Sequence, residues 1–256
     1  MKLISLNLWG GRAYNELAKF LEREKDGIDI FCFQEVLDYG KGQPDQDAKT
    51  AKLLHQTDRY KEITNLYPKL ESILTTYNGF LSDPYSAGME RLATFVKKDI
   101  KAKVQVLPVH EKLPVVVHGK PFYVSCIMQH VMLVDGNKSY DIANVHGLWQ
   151  NSSKGDTPER LKQSNEITKI LSTFGNLRVL CGDLNLLPDI ESIKILEKNM
   201  KNLIREHKIT NTRSPLYTKE LRYADYVFVS DGIRVYDFKV LDEEVSDHLP
   251  LLLSFS

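Results

Sequence analysis

The sequence predicts a single α/β domain, residues 1–256, in which strands outnumber helices. Three observations predict it. Short apolar runs recur and stop at polar residues: Lys2–Leu8 around Asn7, Ile28–Phe33 before Gln34-Glu35-Val36, and Val179–Cys181 before Gly182-Asp183. Between the first two runs, Leu17, Ala18, Phe20 and Leu21 recur at helical spacing. Further on, Asp135-Gly136-Asn137 separates two strand-like segments, a hairpin signal. At 256 residues the chain can shield one large core, built as two packed sheets or as an α/β sandwich.

In chain order, the first strand stops at Asn7-Leu8-Trp9-Gly10-Gly11, where glycine permits a turn. A helix over Tyr14–Glu24 leads to the strand Ile28–Phe33. Residues 38–46 read as a loop and 47–57 as a helix. Ile73–Leu81 and Leu92–Val96 are expected strands, separated by a turn at Asp83-Pro84-Tyr85-Ser86-Ala87-Gly88. Phe122–Val134 and Tyr140–Val145 form the hairpin, and the second of these ends at His146. Thr157-Pro158-Glu159-Arg160 starts a helix, with proline in its first turn, that is expected to reach Phe174. A helix over Asp189–Asn199 and strands over Tyr223–Val229, Val235–Leu241 and Leu249–Phe255 complete the chain.

Lys+Arg and Asp+Glu balance at 34 each, so no strong overall field attracts polyanions. Tight non-specific duplex binding is disfavoured, although a local basic rim is compatible with a neutral protein. No charged start followed by an apolar stretch suggests a secretion signal, and no apolar run is long enough to span a bilayer. Cys32, Cys126 and Cys181 all lie in apolar strand-like runs and match no zinc spacing. We therefore expect a cytoplasmic protein.

The most informative stretch is Val179-Leu180-Cys181-Gly182-Asp183-Leu184-Asn185. In an extended segment Asp183 and Asn185 point the same way off the strand end, and a buried charge there needs water, a metal or a hydrogen-bond partner. The alternative is a strand exit in which Asp183 caps the helix beginning near Asp189; this motif alone does not separate the two. The wider pattern favours a site. Asn7, Glu35, His146, Asp183, Asn185, Asp225, Asp247 and His248 all terminate apolar strands. If those ends converge, they supply hard oxygen ligands for Mg²⁺ or Mn²⁺ and imidazoles for transition-state stabilisation. His55, His110, His118, His130 and His207 read instead as surface or satisfied core residues.

In order and nearly end to end, these motifs resemble the endonuclease/exonuclease/phosphatase superfamily, which includes deoxyribonuclease I and exonuclease III-type enzymes. The resemblance rests on Leu6-Asn7, Gln34-Glu35, Asn144-Val145-His146, Gly182-Asp183-Leu184-Asn185, Ala224-Asp225-Tyr226-Val227-Phe228 and Ser246-Asp247-His248-Leu249-Pro250. It implies a four-layer α/β/β/α sandwich of two packed mixed β-sheets flanked by helices, with a site at one edge. Glu35 would be the principal metal ligand, with Asn7 and Asp247 near the same Mg²⁺ (or Mn²⁺) directly or through water. Asp183 would orient or deprotonate the attacking water, and Asn185 would position that water or the phosphate. His146 and His248 would contact phosphoryl oxygens, with Asp225 holding the His248 tautomer.

The branch within the superfamily is less legible. Gln34-Glu35-Val36-Leu37 departs from the Gln-Glu-Thr-Lys of abasic endonucleases, and Asn144-Val145-His146-Gly147-Leu148-Trp149 departs from the common Asn-Thr-His-Leu. Trp9, Tyr85 and Trp149 are candidates to rim the pocket and stack on substrate; packing loop to core is the alternative for the tryptophans. Arg91 and Arg160 are candidate phosphate contacts, with ordinary surface roles equally available. Lys194, Lys198, Lys201, Arg205 and Lys208 form a basic stretch that would track a nucleic-acid backbone or serve as a solvated helix face. The expectation is a monomeric phosphodiester hydrolase acting on nucleic acid or a nucleotide-like phosphodiester small molecule. A small-molecule or lipid-headgroup phosphoesterase in the same fold is the second reading, and a non-catalytic binding protein the third.

Overall fold

A computed structural model describes the chain except residues 39–61, 86–89, 118–119 and 151–153. Its strands are β1 (Lys2–Asn7), β2 (Ile30–Leu37), β3 (Tyr77–Leu81), β4 (Glu90–Lys97), β5 (Lys101–Val117), β6 (Lys120–Asp135), β7 (Lys138–His146), β8 (Arg178–Asp183), β9 (Lys201–Asn202), β10 (Asp225–Val229), β11 (Val235–Val240) and β12 (Leu251–Phe255). The helices are α1 (Tyr14–Glu24), α2 (Leu66–Ile73), α3 (Pro158–Leu171), α4 (Glu191–Glu197) and α5 (Leu203–Glu206).

The strands form two mixed six-stranded sheets, ordered β11-β12-β1-β2-β4-β3 and β5-β6-β7-β8-β10-β9. Alternation along β1 and β2 explains the layering. Leu3, Ile30 and Cys32 pack with Met128, Val145 and Cys181 of the second sheet. The alternate residues Ile4, Leu6, Phe31 and Phe33 pack under Leu17, Phe20, Leu21, Leu66 and Leu70 of α1 and α2. Ile167 and Leu171 of α3 and Ile193 and Leu196 of α4 cover the second sheet. The four-layer α/β/β/α sandwich expected from the resemblance is the observed architecture.

Each sheet contains one parallel pair, β1 with β2 and β7 with β8. Parallel partners end at the same edge. Asn7 therefore lies opposite Gln34 in one sheet and His146 opposite Asp183 in the other. Antiparallel β10 begins at that edge, with Asp225 opposite Asp183. Below it, the sheets are pinned by buried polar side chains: Gln34 Nε2 donates to Asn144 Oδ1 at 2.7 Å, and Thr94 Oγ1 to Gln129 Oε1 at 2.6 Å.

Several element expectations need correction. Residues 66–73 form a helix, so only Tyr77–Leu81 of the expected Ile73–Leu81 strand is extended. The long β5 was missed because its exposed edge carries charges and Pro108 among the apolar residues. α3 ends at Leu171 rather than Phe174, and α4 is shorter than Asp189–Asn199. The hairpin is as expected, with Asp135 paired to Lys138 across Gly136-Asn137. The expected helix over 47–57, and with it His55, lies outside the described residues, as does His118.

Candidate active site

The central residue is Asp183, only 1 % exposed at the end of β8. The preceding Gly182 adopts φ +137°, and a Cβ there would meet the Val145 carbonyl oxygen at 1.9 Å. Glycine thus lets β8 press against β7 while presenting Asp183 at its tip. Asp183 does not cap α4: the Glu191 and Ser192 amides donate to Asp156 at 2.8 and 2.9 Å. Instead, Asp183 Oδ1 accepts from the Asn185 amide at 2.8 Å, and Asn185 turns into a left-handed conformation with φ +55°. The segment is therefore a tight turn rather than the extended one expected, and asparagine tolerates that turn better than most residues.

Asp183 Oδ2 faces the other sheet. It accepts from Asn7 Nδ2 at 3.1 Å and lies 3.6 Å from His146 Nε2 and 3.5 Å from His248 Nε2. Burial by itself would raise the Asp183 pKa. The surrounding His248, His146, Arg213 and Lys154 outweigh burial and hold the carboxyl below the usual carboxylate range.

Glu35 reaches the same centre by a break in strand alternation. Gln34 faces Asn144 across the sheets, so regular pleating would turn Glu35 towards the helices. A bulge between Phe33 and Val36, with φ +53° at Glu35, redirects the carboxylate to the edge. The strand expected over Ile28–Phe33, ending in Gln34-Glu35-Val36, instead runs Ile30–Leu37 through this bulge. Asn7 Nδ2 donates to Glu35 Oε1 at 2.9 Å, and His146 Nε2 lies 3.8 Å from the same oxygen. Burial and then the charge of Asp247 push Glu35 up to about 7.

The histidines are held by different partners. Tyr85 Oη lies 2.6 Å from His146 Nδ1 and accepts from the Glu35 amide at 3.3 Å. The other ring nitrogen of His146, Nε2, faces the carboxylates. Asn185 Nδ2 lies 3.2 Å from that Nε2. Nδ1 of His248 faces Asp225 at 2.8 and 2.9 Å. Burial and Arg213 lower the His248 pKa, but Asp225, Asp247 and Asp183 together raise it above its ordinary value.

The structure brings together Asn7, Glu35, His146, Asp183, Asn185, Asp225, Asp247 and His248. Trp9 flanks them: its amide donates to Asn7 Oδ1 at 2.9 Å, and the Arg12 guanidinium lies 5.2 Å from its ring. Trp149 is half-buried just beyond His146. Arg91 donates to the Ser82 carbonyl at 2.9 Å, and no hydrogen bond joins it to these eight residues among the described residues. Arg160 is buried and donates to the Gly155 carbonyl at 2.7 Å. In the basic stretch, Arg205 pairs with Glu197 and Asp189, and Lys201 with Asp231. This part of the surface is mixed in charge.

Sequence reading missed Arg213, Tyr217 and Lys154. Arg213 Nη1 donates to Asp247 Oδ2 at 3.0 Å, and its guanidinium lies 4.2 Å from the Tyr217 ring. Lys154 Nζ donates to the Tyr223 carbonyl at 2.7 Å, and burial followed by Arg213 brings it down to about 8. Neither cation ends an apolar strand, the signal that found the others. An open groove of about 510 Å³, lined by Leu187, Asp189, Ile190, Glu220, Arg222 and Tyr223 among others, contains none of these site residues.

The donor set fits a hard divalent cation. Glu35, His146 and Asp183 each offer a ligand atom within 4.8 Å of the others. Burial and then repulsion from Asp247 raise Glu35, a penalty that a cation would relieve.

The two-sheet sandwich thus gathers carboxylates, amides and two imidazoles at one edge. The chain belongs to the Endonuclease/Exonuclease/phosphatase family, whose sequence profile matches residues 4–248. Among solved structures, it resembles an endonuclease/exonuclease/phosphatase from Bacteroides vulgatus at 15% identity and TM-score 0.71, over 100% of this chain and 98% of that one. The mannosyl-6-phosphatase of Bacteroides thetaiotaomicron matches at 15% identity and TM-score 0.68, over 100% and 99%. The human Nocturnin catalytic domain with bound sulfate matches at 18% identity and TM-score 0.65, over 100% and 94%. No curated protein matches the chain in sequence.

Proposed function

We propose that the protein is a divalent-metal-dependent phosphodiester hydrolase, acting on nucleic acid or a nucleotide-like phosphodiester by direct attack of water. One observation carries the reading: Asp183 is buried and held ionised, with Asn7, His146, His248 and Arg213 arranged around its Oδ2.

Oδ1 is committed to the Asn185 amide, so Oδ2 is the oxygen that accepts a hydrogen bond from the attacking water. A depressed pKa makes Asp183 a weak base and a firm orienting group. His146, whose Nε2 faces Glu35 and Asp183, contacts a non-bridging phosphoryl oxygen. His248, raised by its carboxylate neighbours, donates from Nε2 as negative charge develops. Glu35, with Asn7 and Asp247 near it, would hold Mg²⁺ or Mn²⁺. That ion would neutralise phosphoryl charge and act as a Lewis acid.

The mannosyl-6-phosphatase neighbour supports the second reading, a small-molecule phosphatase. Hydrolysis of bis-p-nitrophenyl phosphate against p-nitrophenyl phosphate, with Mg²⁺, Mn²⁺ or EDTA, separates them. Metal-dependent diester cleavage abolished by Asp183→Ala is expected. Cleavage of the monoester alone favours the phosphatase, and metal binding without cleavage of either favours a binding protein.

A further inference from the structure

We infer that Arg213, seated on Tyr217, is a phosphate-positioning residue: its guanidinium and His248 converge beside Asp183 Oδ2 and there hold one non-bridging phosphoryl oxygen. The inference rests on the phosphoesterase reading above and extends it to a residue outside the strand-end set.

The geometry is that of a prepared anion site. Arg213 is 5 % exposed, and its backbone is tied to the segment carrying the histidine. Arg213 and His248 form an antiparallel bridge, the Leu249 amide donates to the Thr212 carbonyl at 3.0 Å, and the Ser214 amide donates to the Asp247 carbonyl at 3.1 Å. Tyr217 supports one face of the guanidinium. Its position therefore does not depend on a mobile side chain.

An arginine serving only to neutralise Asp247 would present its fork to that carboxylate. Here the fork is divided. Nη1 contacts both Asp247 Oδ2 and His248 Nε2, while Nη2 stops 3.9 Å from Asp183 Oδ2. Nε is buried with no hydrogen-bond partner among the described residues. Nη2 thus keeps a donor with no acceptor nearer than 3.9 Å among the described residues, and His248 Nε2 lies 3.5 Å from the same Asp183 Oδ2. An anionic oxygen of the group under attack, placed beside Asp183, would accept from the guanidinium as a charge-assisted hydrogen bond. Lys154, also packed near Tyr217 with its ammonium 5.9 Å from the ring, adds positive charge to the same wall.

Arg213→Ala and Arg213→Lys are compared with wild type by steady-state kinetics on bis-p-nitrophenyl phosphate, inhibition by inorganic phosphate, and Mn²⁺ affinity. In Arg213→Ala, KM and the phosphate inhibition constant rise about 10- to 100-fold, the loss expected of a charge-assisted hydrogen bond. Mn²⁺ affinity is retained, and free guanidinium ion restores part of the activity. Arg213→Lys, which keeps a charge beside Asp247 and so protects the fold, recovers phosphate binding in part. Unchanged phosphate inhibition in Arg213→Ala overturns the inference. So does a loss matched by lost Mn²⁺ affinity and not rescued by guanidinium, since Arg213 would then serve the carboxylates alone. If wild type cleaves no phosphoester, the functional reading fails. Calorimetric titration with inorganic phosphate then tests Arg213 separately: weaker binding in Arg213→Ala supports its role, and equal binding overturns it.

Discussion

Asp225 grips His248 through both carboxylate oxygens, 2.8 and 2.9 Å from Nδ1, and is itself held by the Thr212 hydroxyl at 2.9 Å. A carboxylate only accepts, so Nδ1 carries the proton and Nε2 faces Asp183. In Asp225→Asn we expect kcat to fall by about 10²- to 10⁴-fold, the range of general-acid contributions. The alkaline limb of the pH profile should shift to lower pH, because one charge raising His248 is gone. The stability sign follows. A raised histidine stabilises the fold fully below its unfolded pKa, and that contribution is lost as pH rises through the folded pKa. The wild-type advantage in Tm over Asp225→Asn should therefore shrink at alkaline pH, and an unchanged kinetic profile would refute the assignment.

If Glu35 is the metal ligand proposed, metal binding should depend on pH. Its pKa rises from 4.5 to about 7, so the folded metal-free protein holds this proton more tightly than the unfolded chain. The Glu35 contribution to metal-free stability should consequently fall as pH rises across that window. Mg²⁺ or Mn²⁺ competes with the proton, and the Tm gain on adding metal should grow between pH 6 and pH 8 on the order of one proton's linkage. In Glu35→Gln the pH dependence of that gain should largely vanish. A metal response with the same pH dependence in both proteins would exclude Glu35 as the ligand.

Gly182 is a steric requirement. A Cβ at this position would stand 1.9 Å from the Val145 carbonyl oxygen, and backbone on both sides leaves no flexible side chain to yield. Gly182→Ala should cost at least about 1–3 kcal/mol, by overpacking alone. Thermal unfolding reads the loss, and activity should fall with it because Asp183 is the next residue. A Tm equal to wild type would show that the two strands can part at this point.

The buried Gln34–Asn144 pair pins the sheets beneath the site. Asn144→Ala leaves Gln34 Nε2 without its 2.7 Å acceptor, an expected loss of about 1–3 kcal/mol. Denaturant unfolding of Asn144→Ala, Gln34→Ala and the double variant would show coupling, with the double variant losing less than the sum. Strict additivity would mean that the pair contributes nothing as a pair.

Much of the site was legible because its residues share one signature, a polar group ending an apolar strand. Asn7, His146 and Asp183 end β1, β7 and β8 as their sequences suggest, and Asp225 begins β10. Local pattern reports such boundaries because burying an apolar strand and exposing its polar end are both local consequences of composition. Arg213 and Lys154 bear no such mark. They lie in connecting segments, and what makes them part of the site is the bridge to His248 and the hydrogen bond to Tyr223.

By itself, the sequence determined the alternation of strands and helices, the apolar cores and the polar residues that could meet at an edge. Only the tertiary structure decided which way some of them point. Glu35 is the clearest case: period-two pleating sends it to the helix side, and a bulge with φ +53° returns it to Asn7 and Asp183. That turn is a strained conformation for a residue with a side chain, on the order of 1–3 kcal/mol. It is sustained by packing and hydrogen bonds from segments distant in sequence, and so leaves no local trace in the chain.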